Sequence, residues 1–303
     1  MSKQIRFETP GEHNNACNVE VLHPLVSLLD FSKITPQQYI EADIFSFGFY
    51  YIAFKESKCG DLKYGCNYYD YQEGTLIFIA PNQIIQSENR DLTESTEPKG
   101  KALLFHPDLL RGTMLGRNMK KYSFFSYNVN EALHISEQER IIIMDCFRNI
   151  DYELQHGMDN HSKSLIVSNI EMFLNYCQRF YERQFITRSH VNNDTLSRFE
   201  QVLDDYFNSG LSKEYGLPTV KYCADKLHYS ASYLSDMLRK ETGKSAMEHI
   251  QLNFTEVAKE KLFDRSKSIS EIAYELGFEY PQYFSRLFKK QVGMTPNEFR
   301  ATN

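Results

Sequence analysis

The last hundred residues repeat themselves, and that repeat limits the fold more than any other feature of the chain. Residues 220–243, VKYCADKLHYSASYLSDMLRKETG, align with 269–293, ISEIAYELGFEYPQYFSRLFKKQVG. At an offset of 49, Ala224 matches Ala273, Leu227 matches Leu276 and Tyr229 sits where Phe278 sits. The second turn holds one more residue. The offset then becomes 50 and pairs Tyr233 with Tyr283, Ser235 with Ser285, Lys240 with Lys290 and Gly243 with Gly293. Each copy reads as helix, tight turn, helix. Ser268 and Glu271 spell a capping box, Gly277 suits the left-handed residue that ends a helix, and Pro281 suits the first turn of the next. Tyr283, Phe284, Leu287 and Phe288 form one buried apolar stripe, with Gln282, Arg286, Lys289 and Lys290 largely off it. Between the copies, Ser245 and Glu248 open a helix that reaches about Leu262. Thr295 then caps a short last helix with Pro296 at its first position.

Two helix-turn-helix units joined by one helix of roughly 25 Å suit a duplex, whose major-groove segments recur about every 34 Å. Net charge does not supply the attraction. Residues 194–303 carry 15 Lys and Arg against 16 Asp and Glu, and residues 1–193 carry 19 against 24. The basic face is local: Pro281 to Val292 holds Arg286, Lys289 and Lys290 and no acid. The candidate DNA-contacting residues are Ser232, Ser235, Arg239, Lys240 and Lys244 from the first unit, and Gln282, Tyr283, Arg286, Lys289 and Lys290 from the second. Gln pairs with adenine and Arg with guanine in the major groove, which assigns Gln282 and Arg286 to bases and Lys289 and Lys290 to phosphate. Asp236 stands on the exposed part of the first unit's second helix. There it either accepts from a cytosine amino group or lowers affinity.

The chain of 303 residues is long enough for two domains. From Ile44 to about Tyr127 it reads as strands: 44–54, 62–71, 75–81 and 101–106 are rich in β-branched and aromatic residues. Turn residues at 58–61, 73–74, 81–82 and 98–100 separate them, which predicts an antiparallel barrel or sandwich. From Ser136, where Glu139 completes a capping box, the period becomes helical. Ile143, Phe147, Ile150 and Leu154 mark one helix. Ile166, Ile170, Phe173, Cys177 and Phe180 mark a second, with a heptad-like seam. The seam suits either packing on the chain's own β-domain or a homodimer interface. The polar stretch 188–193 is read as a linker. The predicted fold is thus α+β and multidomain, with a β-barrel over 1–135, a helical dimerisation segment over 136–187 and an all-α domain over 194–303.

The segment 268–300, SISEIAYELGFEYPQYFSRLFKKQVGMTPNEFR, resembles the signature of the AraC/XylS family of transcription regulators. Its elements are the IA…LGF helix and turn, YFSR.FKK on the second helix, and G.TP..FR after it. The likeness is strong over 194–303. The stretch YQEGTLIFIAPNQ (71–83) is similar to the cupin-type sensing domains attached to such regulators. The resemblance implies sequence-specific binding of double-stranded DNA, control by a small-molecule effector, a homodimer and, for an activator, contact with RNA polymerase. Tyr280 departs from it, standing where a small capping residue is usual.

A metal-dependent cupin enzyme needs clustered His and a carboxylate on facing strands. The strand region offers Asn67, Tyr69 and Glu73 without histidine, and His106 reads as a strand-end structural residue; neither enzyme nor metal nor cofactor is expected. A sensor acting through protein contacts alone is the other rival. The six cysteines, 17, 59, 66, 146, 177 and 223, form no CxxC pair and read as reduced thiols. No run approaches the ~20 apolar residues of a membrane span, and the first residues lack a signal core, so the expected setting is cytoplasmic. Tyr50, Tyr51, Tyr64, Tyr68, Tyr69 and Tyr71 read as barrel core or wall, with stacking on a sugar or ring as the alternative.

Overall fold

The computed structural model describes residues 4–34, 44–56, 74–86 and 99–302, and the chain divides into two compact units, Met1–Gln184 and Phe185–Asn303. The first contains β1 (Gln4–Phe7), α1 (Pro10–Ala16), β2 (Val26–Asp30), β3 (Ile44–Phe47), β4 (Tyr50–Lys55), β5 (Thr75–Ile79), β6 (Ile84–Gln86) and β7 (Gly100–Phe105). It continues with α2 (Met114–Asn118), β8 (Leu133–His134), α3 (Glu137–Gln155) and α4 (Ser162–Thr187), which ends just inside the second unit. The strand expected over 62–71, with Cys59, Cys66, Tyr64, Tyr68, Tyr69 and Tyr71, lies outside the described residues.

The described strands form two sheets, ordered β1-β3-β6 and β2-β7-β4-β5-β8, and among them no barrel closes. β1 runs parallel to β3, whereas the remaining pairs are antiparallel. The apolar run 44–54 is two strands in different sheets. The break is at Gly48, whose N–H donates to the Phe7 carbonyl at 2.8 Å. A Cβ there would lie 2.6 Å from the Glu8 carbonyl oxygen. Glycine within a strand pattern marks such a close backbone approach. β7 sits between β2 and β4, and Ala102 to Phe105 are fully buried. Burial on both faces explains a continuous apolar run in place of alternation.

α1 places His13 among the rings of Phe7, Phe47, Phe49 and Tyr51, with centroids 5.3–6.3 Å away. Burial there pushes its pKa down to about 4. The unfolded chain takes up a proton near pH 6.5 while the folded one resists until about pH 4. Stability therefore falls as pH drops through that window and is flat below it. At 1.36 kcal/mol per unit, the first unit loses roughly 3 kcal/mol across it. His13→Phe is expected to flatten this dependence in urea melts at pH 7, 5.5 and 4. An unchanged slope would assign the acid sensitivity elsewhere.

The capping box at Ser136 and Glu139 starts α3 as expected. Arg183 on α4 bonds Glu139 at 2.8 Å and donates to the His134 carbonyl at 2.7 Å, tying α4 to the start of α3. The seam of α4 faces inward. Ile166, Ile170, Phe173 and Cys177 are fully buried and Phe180 nearly so, and Phe173 stacks on Phe147 of α3 at 5.2 Å. Of the two readings of this seam, packing within the chain is the one these burials favour, since the apolar surface of the five residues is already covered. Burial also pushes the Cys146 thiol up to about 11 and raises that of Cys177.

The second unit contains α5 (Ser189–Asn208), α6 (Leu211–Tyr215), α7 (Val220–Leu227), α8 (Ala231–Thr242), α9 (Ala246–Phe263), α10 (Ile269–Glu275), α11 (Pro281–Val292) and α12 (Pro296–Thr302). The stretch 188–193, read as a linker, is helical from Ser189 onward, with Arg188 at the N-cap of α5. Its polar residues pattern as a loop, yet Asn192 within it and Thr195 just after it are buried. They donate to the carbonyls of Phe185 at 2.7 Å and Val191 at 2.9 Å. The core gathers Phe207, Phe254, Leu262, Ile272, Phe284 and Phe288 around α9. Arg300 of the FR pair is structural. Its guanidinium donates to the carbonyls of Leu262, Lys267 and Asp264 at 3.0, 2.9 and 3.3 Å, capping the end of α9.

Candidate nucleic-acid interface

The two repeat copies close their turns with the same bond. Tyr229 N–H donates to the Ala224 carbonyl at 2.9 Å, and Phe278 N–H to that of Ala273 at 2.9 Å. The left-handed residue is His228 in the first turn (φ 62°) and Gly277 in the second (φ 83°). α8 and α11 both end on a left-handed glycine, Gly243 and Gly293, whose N–H groups donate to Arg239 and Lys289. Thr219 caps α7 and Ser230 caps α8, accepting from Tyr222 N–H and Tyr233 N–H. Ser268 and Glu271 form the expected box on α10, while Tyr280 makes no capping bond and α11 starts from Pro281.

These caps set the outward faces of the second helix of each unit, α8 and α11. On α11, Phe284 and Phe288 are buried at the core, while Gln282, Arg286, Lys289 and Lys290 are exposed. Tyr283 departs from the buried stripe, being 49% exposed. The Arg286 guanidinium sits 5.0 Å from its ring centroid, and Tyr280 meets the same ring edge-on at 5.7 Å. On α8, Tyr233, Leu234, Met237 and Leu238 are buried, Ser232 and Ser235 are half-buried, and Arg239 and Lys240 are exposed. Lys244 is exposed just past the end of α8. Asp236 lies 3.6 Å from Arg239, so the first helix offsets one of its own cations. The arrangement brings donors and cations to one face of α11. The α8 face is more neutral.

Sequence patterning did not foresee the Tyr283–Arg286 contact. The signal was available in the spacing, because residues three apart on a helix are neighbours. His106 is a strand-end structural residue: its Nδ1 accepts from Asp108 N–H at 3.1 Å. Among the described residues, no group of three His, Cys, Asp or Glu is placed to hold a metal, and no helix is long and apolar enough to cross a membrane.

Two capped helix-turn-helix units around one connecting helix define a helix-turn-helix protein. A family described as a helix-turn-helix domain matches residues 223–302. Multiple antibiotic resistance protein MarA of Salmonella typhimurium is 32% identical over 119 residues, which are 39% of this chain and 87% of MarA. On these matches the chain belongs to the AraC/XylS family of transcription regulators. The uncharacterized regulator YfiF of Bacillus subtilis is 34% identical over 140 residues, 46% of this chain. The match spans 41% of YfiF and 26% of the B. subtilis regulatory protein YesN, less than half of either relative. The solved C-terminal domain of AraT, a response regulator from Geobacillus stearothermophilus, is 31% identical. It covers 36% of this chain and 85% of that one, with a TM-score of 0.32.

Proposed function

We propose that this chain is a sequence-specific DNA-binding transcription regulator. In this reading α8 and α11 enter successive major-groove segments of double-stranded DNA. The observation that carries it is the α11 face, where Gln282, Arg286, Lys289 and Lys290 are exposed on a helix held by a core of phenylalanines. α9 has 18 residues, about 27 Å at 1.5 Å per residue, which suits neighbouring groove segments with some bending of the duplex. The N-terminal unit is read as the cupin-like sensing module of a small-molecule effector, and RNA polymerase as the partner of an activating form. The role is one of binding, carried out in the cytoplasm, where the buried Cys17, Cys146, Cys177 and Cys223 stay reduced.

Roles divide along α11. Helix-turn-helix modules read bases with N-terminal residues of the second helix, which assigns Gln282 and Arg286 to base edges. Lys289 and Lys290 lie a turn later and take phosphate. On an operator selected from random DNA, Arg286→Ala is expected to cost about 1–3 kcal/mol and relax selection at one base pair. Lys290→Ala is expected to weaken all sequences alike and lower the salt slope by about one. Binding isotherms on the site and its single-base variants at two salt concentrations separate the roles. Equal weakening of every variant by Arg286→Ala would refute its base contact, and an unchanged slope would return Lys290 to a solvated surface.

A further inference from the structure

The repeat places a tyrosine at matching positions of its two reading helices and folds the two differently. Tyr233 is 5% exposed and packs on Phe185 and Tyr229, with ring centroids at 5.1 and 5.4 Å. Tyr283 is 49% exposed, though the next residue, Phe284, is fully buried. Tyr280 borders its ring at 5.7 Å and the Arg286 guanidinium lies over it at 5.0 Å. Fifty residues earlier, the position matching Arg286 is Asp236, so the first unit cannot make this contact.

A guanidinium lying on an aromatic ring is restrained in position while its N–H fork stays free for a two-pronged acceptor. In the major groove that acceptor is the O6 and N7 edge of guanine. The exposed ring beside it is apolar, and the apolar feature of the major groove is the 5-methyl group of thymine. We propose that Tyr283 is a specificity-determining residue. It orients Arg286 for a guanine and packs against the methyl group of a thymine next to that guanine. This rests on α11 being a base-reading helix, and it adds a thymine to the half-site of the second unit.

The test uses the intact chain and its selected operator, with each thymine replaced in turn by uracil, which removes the methyl group alone. For the unsubstituted protein, one replacement beside the Arg286-dependent guanine is expected to weaken binding about fourfold, the worth of one buried methyl group. Tyr283→Ala is expected to weaken binding to the all-thymine site about tenfold, from the lost methyl contact and lost restraint of Arg286 together. It should then be indifferent to uracil at that position. Tyr283→Phe, which keeps the ring and drops the hydroxyl, should retain the uracil penalty. A full uracil penalty in Tyr283→Ala, or its loss in Tyr283→Phe, overturns the proposal. So does a site where Arg286 selects guanine but no thymine responds to uracil, which leaves the reading of α11 intact. A chain with no preference among DNA sequences overturns both.

Discussion

Gly277→Ala is expected to unfold the second helix-turn-helix unit. The residue sits at φ 83° between α10 and α11, where a side chain costs about 1–2 kcal/mol by backbone conformation alone. Space adds more. A Cβ at Gly277 would stand 1.8 Å from the Ser212 carbonyl oxygen and 2.6 Å from the Cα of Gly216. Both are backbone atoms at the two ends of the short helix α6, which Ser212 also ties down by donating to the Glu275 carbonyl at 3.3 Å. Neither atom can rotate aside as a flexible side chain would. The turn must open or α6 must leave, and either exposes core around Leu276 and Phe284. A loss above about 3 kcal/mol is expected, by the sum of strain and overpacking, read from urea melts of helical content. The first unit supplies the contrast. His228 holds the same left-handed position at φ 62° with an exposed side chain, so there the conformation alone carries the cost. A Gly277→Ala chain within 1 kcal/mol of the parent, on the order of an ordinary surface change, would refute the close approach of α6.

What could be read from the residues follows from how local each determinant is. Caps and left-handed turns are decided within about six residues. Ser136, Ser245, Ser268, Gly243, Gly277 and Gly293 therefore all behave as their neighbourhood dictates. Sheet partners are not local. The 44–54 run alternates poorly because neither β3 nor β4 has an exposed residue, and only Gly48 marks where the chain changes sheets. The parallel pairing of β1 with β3 joins residues forty apart and leaves no periodic trace. Polarity misled over 188–193, since Asn192 is polar and buried, with its amide donated to a carbonyl seven residues back. Tyr283 misled in the opposite sense. Its spacing fits the apolar stripe, but it faces outward, where its ring meets Arg286 in place of a core.

Phe173→Glu is expected to unfold the first unit instead of releasing a folded monomer from a dimer. A heptad seam on α4 with Ile166, Ile170, Phe173, Cys177 and Phe180 has the pattern of a subunit interface, and the pattern alone does not say what covers it. In the fold the cover is intramolecular. Phe173 is fully buried, stacked on Phe147 of α3 at 5.2 Å. Truncating such a ring costs about 3–5 kcal/mol, and a carboxylate in its place must ionise without a partner or shift its pKa upward, adding several more. The sum rivals the ~5–15 kcal/mol that holds an ordinary domain together. Thermal melts are expected to lose the transition of Met1–Gln184 while the core around α9 keeps its own. Met172, the residue before it on the same helix, is 40% exposed, and Met172→Glu should stay within about 1 kcal/mol of the parent as surface changes do. Sedimentation velocity then separates the two accounts. A Phe173→Glu chain that stays fully folded and sediments as half the mass of the parent would make α4 a subunit surface after all. An expanded or aggregating chain, beside a native Met172→Glu, places the seam inside the protomer.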